Sequence, residues 1–187
     1  MDYVKIKGKK IFANNGNLYL DNNNINQIRE IKKLKQFSNL RGLFLEHNNL
    51  RKIEGLDHLV NLNKLHLEGN SISEINGLGS LINLEELELG GNQIPKIENL
   101  GHLQNLKELS LNNNKLRNID GLEKLVNLKK LDLSNNQLED LEGIGRLKNL
   151  EYLNISNNKI KNKNKLSELS NLKTLKLNGN PVENTRD

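Results

Sequence analysis

Residues 84–93 read LEELELGGNQ, with leucine at the first, fourth and sixth places and asparagine at the ninth. The same arrangement returns every 22 residues without drift along most of the chain. Its first leucines are Leu40, Leu62, Leu84, Leu106, Leu128, Leu150 and Leu172. One earlier copy starts near Asn15, so the chain contains about eight copies. A stacked array needs about three copies to bury a continuous core.

Each copy predicts a short strand. Leu87 and Leu89 are two residues apart, so they face one side of the strand while the third, fifth and seventh places face the other. The leucine side is predicted to be core and the opposite side a displayed surface. Asn92 carries both a donor and an acceptor, which can satisfy backbone groups where the chain leaves the strand. Its replacement should therefore open a buried polar gap.

The return half of each copy predicts a different local structure. Its apolar residues, as in residues 53–59, are spaced by threes, which favours short 3₁₀ turns over an α-helix. The sixteenth place is often glycine, as at Gly55, which permits a tight turn. Asn99 and Lys165 occupy that place in two copies and predict local irregularity. After Ile25 there is one apolar triplet more than in later copies, which predicts a longer outer turn.

The two ends differ from the middle. Residues 1–17 alternate around a turn near Gly8 and predict an N-terminal hairpin that covers the first coil, followed by a repeat domain at 18–187. The last copy stops soon after residues 180–182, so its core layer is expected to be poorly covered. We expect the chain to be a fragment of a longer protein, since uncapped repeats tend to fray. Shielding by a neighbouring chain is the alternative.

The pattern LxxLxLxxN with a short return segment resembles the leucine-rich repeat family. Within that family it is similar to the 22-residue subclass found in a regulatory subunit of protein phosphatase 1. The resemblance covers about residues 15–182. It implies an α/β solenoid of about eight coils, with a curved parallel sheet on the concave side and short 3₁₀ or helical turns on the convex side.

The outward positions of the strands predict a binding surface. Together with the second and eighth places they carry nine acids against seven bases, whereas the whole chain has 23 acids and 28 lysines and arginines. Aromatic residues gather in the first coils beside a group of acids that begins at Asp21. We predict that this face binds a protein with a basic or mixed surface. The candidate contact residues are Tyr19, Phe44, Glu46, His66, Glu68, Glu86, Glu88, Glu108, Asp132 and Tyr152.

The family resemblance also implies a binding role for some of these candidate contact residues. In the phosphatase regulators, aromatic and acidic side chains of the concave face contact the partner. Phe44, Glu88 and Asp132 occupy the matching central column here, whereas His66 and Ser110 depart from that series. Phosphatase binding is therefore one alternative within the broader prediction of protein binding.

Catalytic motifs are absent from the sequence. It has no cysteine, no HExxH and no phosphate-binding glycine-lysine loop, so we predict a protein that is not an enzyme and has no cofactor. His47 and His66 lie on neighbouring predicted strands near Glu46 and Glu68, which makes a transition-metal site conceivable. Histidines on a polar face are more often solvated, so no metal is predicted.

Charge and composition bear on nucleic-acid binding, membrane insertion and cellular location. The pI near 9.3 invites a nucleic-acid interpretation, but the aromatic residues accompany acids, so only weak, salt-sensitive adhesion is expected. No apolar run approaches the 18 or so residues of a membrane span. The lack of cysteine and of a leading apolar segment favours a cytoplasmic or nuclear location. A monomer is expected.

The sequence therefore predicts a noncatalytic scaffold that binds a partner protein through its concave face. A solenoid must place some polar surface there whatever its role. The alternative is a structural or capping module of a longer protein without a dedicated partner.

Overall fold

The computed structural model describes residues 3–182, so the outermost residues of the predicted hairpin and repeat domain lie outside the description. An antiparallel hairpin, β1 (Tyr3–Ile6) and β2 (Lys9–Phe12), precedes an eight-stranded parallel sheet. The strands of this sheet are β3 (Asn17–Tyr19), β4 (Gly42–Phe44), β5 (Lys64–His66), β6 (Glu86–Glu88), β7 (Glu108–Ser110), β8 (Lys130–Asp132), β9 (Tyr152–Asn154) and β10 (Thr174–Lys176). Each strand pairs with the next in chain order, so the fold is a solenoid with one strand per coil.

The constant repeat length sets the register of the sheet. Leu43 pairs with Leu65, and Leu65 pairs with Leu87, so equivalent places of successive copies lie side by side. These leucines are fully buried. Because side chains alternate along a strand, the flanking residues all point to the opposite, concave side. The predicted inward leucines and displayed face are confirmed.

The convex side is built from tight turns. Four short 3₁₀ helices lie at Ile28–Glu30, Leu34–Gln36, Ile144–Arg146 and Asn164–Glu168. Other coils return through turns such as the one closed by Leu59 N and Leu56 O at 2.8 Å. Residues 3–182 contain no α-helix. Three residues per turn bring every third side chain to the core, as the apolar spacing predicted.

The first coil has the longer outer turn that was predicted, since its extra triplet accommodates two of the 3₁₀ helices. The expected irregularity at Asn99 does not occur. Asn99 has φ 58°, in the same left-handed region as Gly77, and its amide donates to Ile75 O at 2.8 Å. Lys165 lies inside the 3₁₀ helix Asn164–Glu168, so that coil does depart from the others.

Buried asparagines connect the coils, as predicted. Asn92 Nδ2 donates to Leu67 O and to Leu89 O, both at 3.0 Å, and Oδ1 accepts from Ile72 N at 2.9 Å. One amide thus satisfies backbone groups of its own coil and of the preceding coil. The equivalent buried residues are Asn48, Asn70, Asn92, Asn114, Asn136 and Asn158.

A second asparagine series, which was not predicted from the sequence, runs along the outside. Asn83 Nδ2 donates to Val60 O at 2.9 Å, which links two successive coils. The other members make the same bond and are Asn61, Asn105, Asn127, Asn149 and Asn171. The signal was present, because an asparagine precedes the first leucine of every copy.

The hairpin and the last coil close the two ends differently. Lys7 and Gly8 both have positive φ, the geometry of a two-residue hairpin turn. Val4 is fully buried, and β1 exchanges two backbone hydrogen bonds with Lys32 at 2.9 Å. At the other end β10 is exposed along its length, with Leu175 40% exposed. The core is therefore well covered at the first coil and open at the last described one.

Candidate functional site

Three rings line up across β3, β4 and β5, and we call Tyr19, Phe44 and His66 the aromatic row. Tyr19 pairs with Phe44, and Phe44 with His66, in the sheet register. The first two rings stack with centroids 4.6 Å apart and planes at 18°, and His66 meets Phe44 edge-on at 4.6 Å. Tyr19 is 48% exposed. The row is therefore a preorganised aromatic surface.

Beside it lies an acidic row formed by Asp21, Glu46 and Glu68, each two residues after a member of the aromatic row. One oxygen of each carboxyl group is buried: Oδ1 of Asp21, Oε2 of Glu46 and Oε2 of Glu68. Among the described residues none of these three oxygens has a hydrogen-bond partner. Buried carboxyl oxygens are normally paired, because leaving one unpaired is costly.

His66 connects the two rows. Its Nδ1 lies 3.2 Å from Glu46 Oε1 and 3.9 Å from Glu68 Oε1, and its Nε2 lies 2.8 Å from Glu86 Oε1. Burial disfavours the charged ring, but hydrogen bonds to Glu46 and Glu86 and the charge of Glu68 outweigh it and raise the pKa of His66 to about 9. His66 is therefore a cation at neutral pH.

The nearby carboxyl groups are strongly perturbed. Burial works against ionisation of Glu46, yet hydrogen bonds with His66 and Asp21 lower its pKa to about 2. Burial, together with hydrogen bonding to Glu46 and its charge, raises the pKa of Asp21 to about 6. Burial and the charge of Glu68 raise the pKa of Glu88 to about 7. The site thus holds more negative charge than His66 can neutralise.

Cross-strand lysines pair with two concave acids outside this row. Lys64 Nζ lies 2.5 Å from Glu86 Oε2, and Lys130 Nζ lies 3.0 Å from Glu108 Oε2. Both lysines lie on the concave face, and neither was in the predicted set. The detectable signal was opposite charge at the same place in successive copies, because those places become strand neighbours.

One group could hold a metal ion. Glu46, His66 and Glu68 each offer a ligand atom, and these atoms lie within 4.8 Å of one another, a donor set that suits a transition metal. His47 is exposed with its ring against Gly69 and does not belong to the group. A metal would have to displace the proton of His66.

The ten predicted contact residues fall into two parts. Seven of them lie on β3 to β6 or directly after these strands, and Glu108, Asp132 and Tyr152 lie further along the sheet. Both oxygens of Asp132 accept hydrogen bonds, from Ser134 and from Asn154, so they are already used within the face. Tyr152 is six strands from Tyr19, roughly 29 Å at the usual strand spacing.

Comparison with protein families agrees with this architecture. The family model for Leucine Rich repeats (2 copies) matches residues 38–80, 60–104, 82–124, 104–146 and 126–167. The chain belongs to the leucine-rich repeat family. Among residues 3–182 no helix has the length and apolar character that a membrane crossing requires.

Solved leucine-rich repeat structures resemble this one closely. Internalin C2 (inlC2) from Listeria monocytogenes is 30% identical with a TM-score of 0.84, covering 91% of this chain and 74% of that chain. An internalin (inlF) from the same organism is 26% identical with a TM-score of 0.79, covering 87% and 48%. Comparison with curated protein sequences gives no match. Leucine-rich repeat proteins such as these generally serve as protein-interaction scaffolds.

Proposed function

We propose that this protein is a noncatalytic scaffold that binds a partner protein through the β3 to β6 part of its concave face. The observation that carries the proposal is the aromatic row, with Tyr19 half exposed, in a chain that is only 3% aromatic. Stacked rings on a hydrogen-bonded sheet lose little conformational entropy on binding, and aromatic residues are common interface anchors. Phe44 is partly buried between Tyr19 and His66, which holds the row in place.

The shape and charge of the face suit a macromolecular partner. Eight parallel strands at about 4.8 Å form an arc roughly 34 Å long, which is enough for an interface of standard size. The unneutralised acids beside the aromatic row favour a partner with a basic or mixed surface. A monomer with a cytoplasmic location remains our expectation from the sequence.

A double substitution tests the proposal. We expect Phe44→Ala with Glu88→Ala to abolish capture of a partner from lysate, identified by mass spectrometry, while the thermal midpoint stays within a few degrees. Phe12→Ala with Glu142→Ala removes one phenylalanine and one glutamate from outside the concave face and is the matched control. Capture that is equal for wild type and both variants would favour the alternative of a structural module without a dedicated partner.

A phosphatase-regulator-like role is the narrower alternative, and it rests on Phe44, Glu88 and Asp132 in the central column of the face. The carboxyl group of Asp132 already accepts hydrogen bonds from Ser134 and Asn154. Fewer carboxyl oxygens are therefore free to contact a phosphatase than the resemblance implies. Purified protein phosphatase 1 catalytic subunit is the direct probe. Absence of binding would remove this alternative and leave the broader proposal intact.

A further inference from the structure

The acidic row lacks a counter-charge of its own. Like charges on neighbouring strands destabilise a sheet, and Glu86 and Glu108 elsewhere on this face are each opposed by a lysine. The ion-pair partner of Glu46 and Glu68 among the described residues is His66, which also contacts Glu86. Three adjacent carboxyl groups thus share one cation, and their inner oxygens accept no hydrogen bond from another described residue's donor.

The nearest basic side chains are committed elsewhere. Lys64 pairs with Glu86 on the opposite flank of the aromatic row. Arg41 is exposed and lies against Gly16, with Cγ 3.6 Å from the place of an added Cβ. The described part of the chain thus supplies no arginine or lysine to the acidic row. A cationic group of a partner would therefore meet carboxyl groups that no lysine or arginine of the described chain neutralises.

The aromatic row defines the shape of that cation. The ring of Phe44 lies over Gly42, where an added Cβ would come within 2.8 Å of Phe44 Cε2, and it is held between Tyr19 and His66. Tyr19 stacks on the same ring and is half exposed. A group that binds here meets aromatic faces on one side and carboxyl oxygens on the other.

A guanidinium group meets both requirements. It has five N–H donors in one plane and no acceptor, it pairs with carboxylates through two parallel bonds, and it stacks on aromatic rings. A lysine ammonium is a compact, strongly hydrated point charge with three donors, so it cannot stack in the same way. The chemistry of the site therefore favours arginine over lysine.

We propose that an arginine side chain of the partner protein inserts beside the aromatic row and donates hydrogen bonds to the partly exposed carboxyl groups of Asp21, Glu46 and Glu68. The proposal rests on the proposed function and specifies the group by which the partner is anchored. The flat face of the guanidinium lies against the half-exposed ring of Tyr19, where cation–π attraction adds to the ion pairs.

Short peptides test this without the partner. Capped tripeptides with arginine, lysine or citrulline at the centre are titrated into the full chain while the NMR signals of Tyr19, Phe44 and His66 are followed. We expect the arginine peptide to shift these signals and to bind at least about fivefold more tightly than the lysine peptide. The neutral citrulline peptide should produce no shift. Equal binding of citrulline and arginine, or shifts confined to other residues, would overturn the proposal.

Two variants locate the site. Glu68→Gln and Phe44→Leu should each weaken binding of the arginine peptide by about tenfold, since one removes a charge and the other removes the ring on which Tyr19 stacks. Glu151→Gln, which alters a concave acid that is already paired with Lys173, is the control and should bind as wild type does. Equal affinity for Glu68→Gln and wild type would overturn the proposal even if both fold.

The peptide and lysate experiments separate two failures. Partner capture that depends on Phe44 and Glu88, without discrimination among the peptides, refutes the arginine anchor and leaves the scaffold proposal standing. Partner capture that is unchanged in the double variant refutes the scaffold proposal and the anchor together. A zinc titration that shifts His66 and blocks the arginine peptide would agree with competition for Glu46 and Glu68.

Discussion

Single residues hold the solenoid in register through groups that have no alternative partner. The Asn92 amide satisfies two carbonyl groups and one amide hydrogen that are buried between coils. Asn92 is only 8% exposed, so these backbone groups are largely shielded from solvent. A polar residue in a leucine core is stabilising here because the backbone leaves the strand at this point.

Replacing Asn92 with alanine should lower the free energy of unfolding by about 2–4 kcal/mol, because buried backbone groups lose their partners. Urea denaturation monitored by circular dichroism measures the loss. Gln93→Ala changes the exposed neighbour and should stay within about 0.5 kcal/mol of wild type. A similar small value for both variants would contradict the structural role of Asn92.

The ionisation of His66 makes the free energy of unfolding depend on pH in the alkaline range. Its pKa rises from 6.5 to about 9 on folding, so its contribution to stability is complete below pH 6.5 and is lost as pH rises through about 9. At about 1.4 kcal/mol per pKa unit, the loss approaches roughly 3 kcal/mol. NMR titration of the His66 ring measures its pKa. Denaturation between pH 6 and pH 10 measures the loss in the free energy of unfolding.

Two variants check the cause of this pH dependence. Glu86→Gln removes the negative charge of the carboxylate that lies 2.8 Å from His66 Nε2 and should lower the pKa of His66. In His66→Gln the free energy of unfolding should change little between pH 6 and pH 10. If it still falls steeply over this range, another group is responsible for the pH dependence.

Elements pack closely where the outer turn of one coil touches the coil before it. Gly77 and Gly55 occupy the same place in successive copies with φ 71° and 78°. A Cβ on Gly77 would lie 2.0 Å from Ile53 O, whereas a Cβ on Gly55 would have nothing within 4 Å. The sequence shows the same residue at both places, and only the packing distinguishes them.

The pair Gly77→Ala and Gly55→Ala separates backbone strain from close approach. Both variants force an L-residue into the left-handed region, at about 1–2 kcal/mol. Gly77→Ala should cost roughly 2 kcal/mol more, because the coils must move apart. Equal free energies of unfolding for the two variants would show that the coils separate without cost.

Over the whole molecule, stability depends on position along the solenoid. Leu109 and Leu175 occupy the same repeat place, but Leu109 is 1% exposed and Leu175 is 40% exposed. Each inner coil is covered by two neighbours, whereas β10 pairs on one side only, with β9. Repeat proteins gain much of their stability from such neighbour contacts.

Leu109→Ala should therefore lower the free energy of unfolding by about 2–5 kcal/mol, the cost of a cavity in a packed core. Leu175→Ala should cost under about 1 kcal/mol, since less apolar surface leaves the core. Urea denaturation of the two variants measures the difference. A comparable cost for both would mean that the last coil is as well covered as the middle.

The repeat length alone was enough to predict the stacked strands, the inward leucines and the buried asparagines. A constant 22-residue step brings equivalent residues side by side, so spacing along the chain becomes spacing across the sheet. The alignment of Phe44 with His66 follows from the same step, whereas Tyr19 lies 25 residues before Phe44 and aligns with it because the extra triplet of the first coil is taken up in its outer turn. Asn99 was misjudged, because asparagine tolerates the left-handed region that the turn requires.

Charge pairing on the concave face did not follow from that spacing. Long side chains on neighbouring strands can reach several partners, and burial and distance in the fold select among them. Lys64 pairs with Glu86, His66 bridges Glu46 and Glu86, and the acidic row keeps unpaired oxygens. One-dimensional order thus specifies which residues become neighbours, whereas three-dimensional packing specifies which of those neighbours bond.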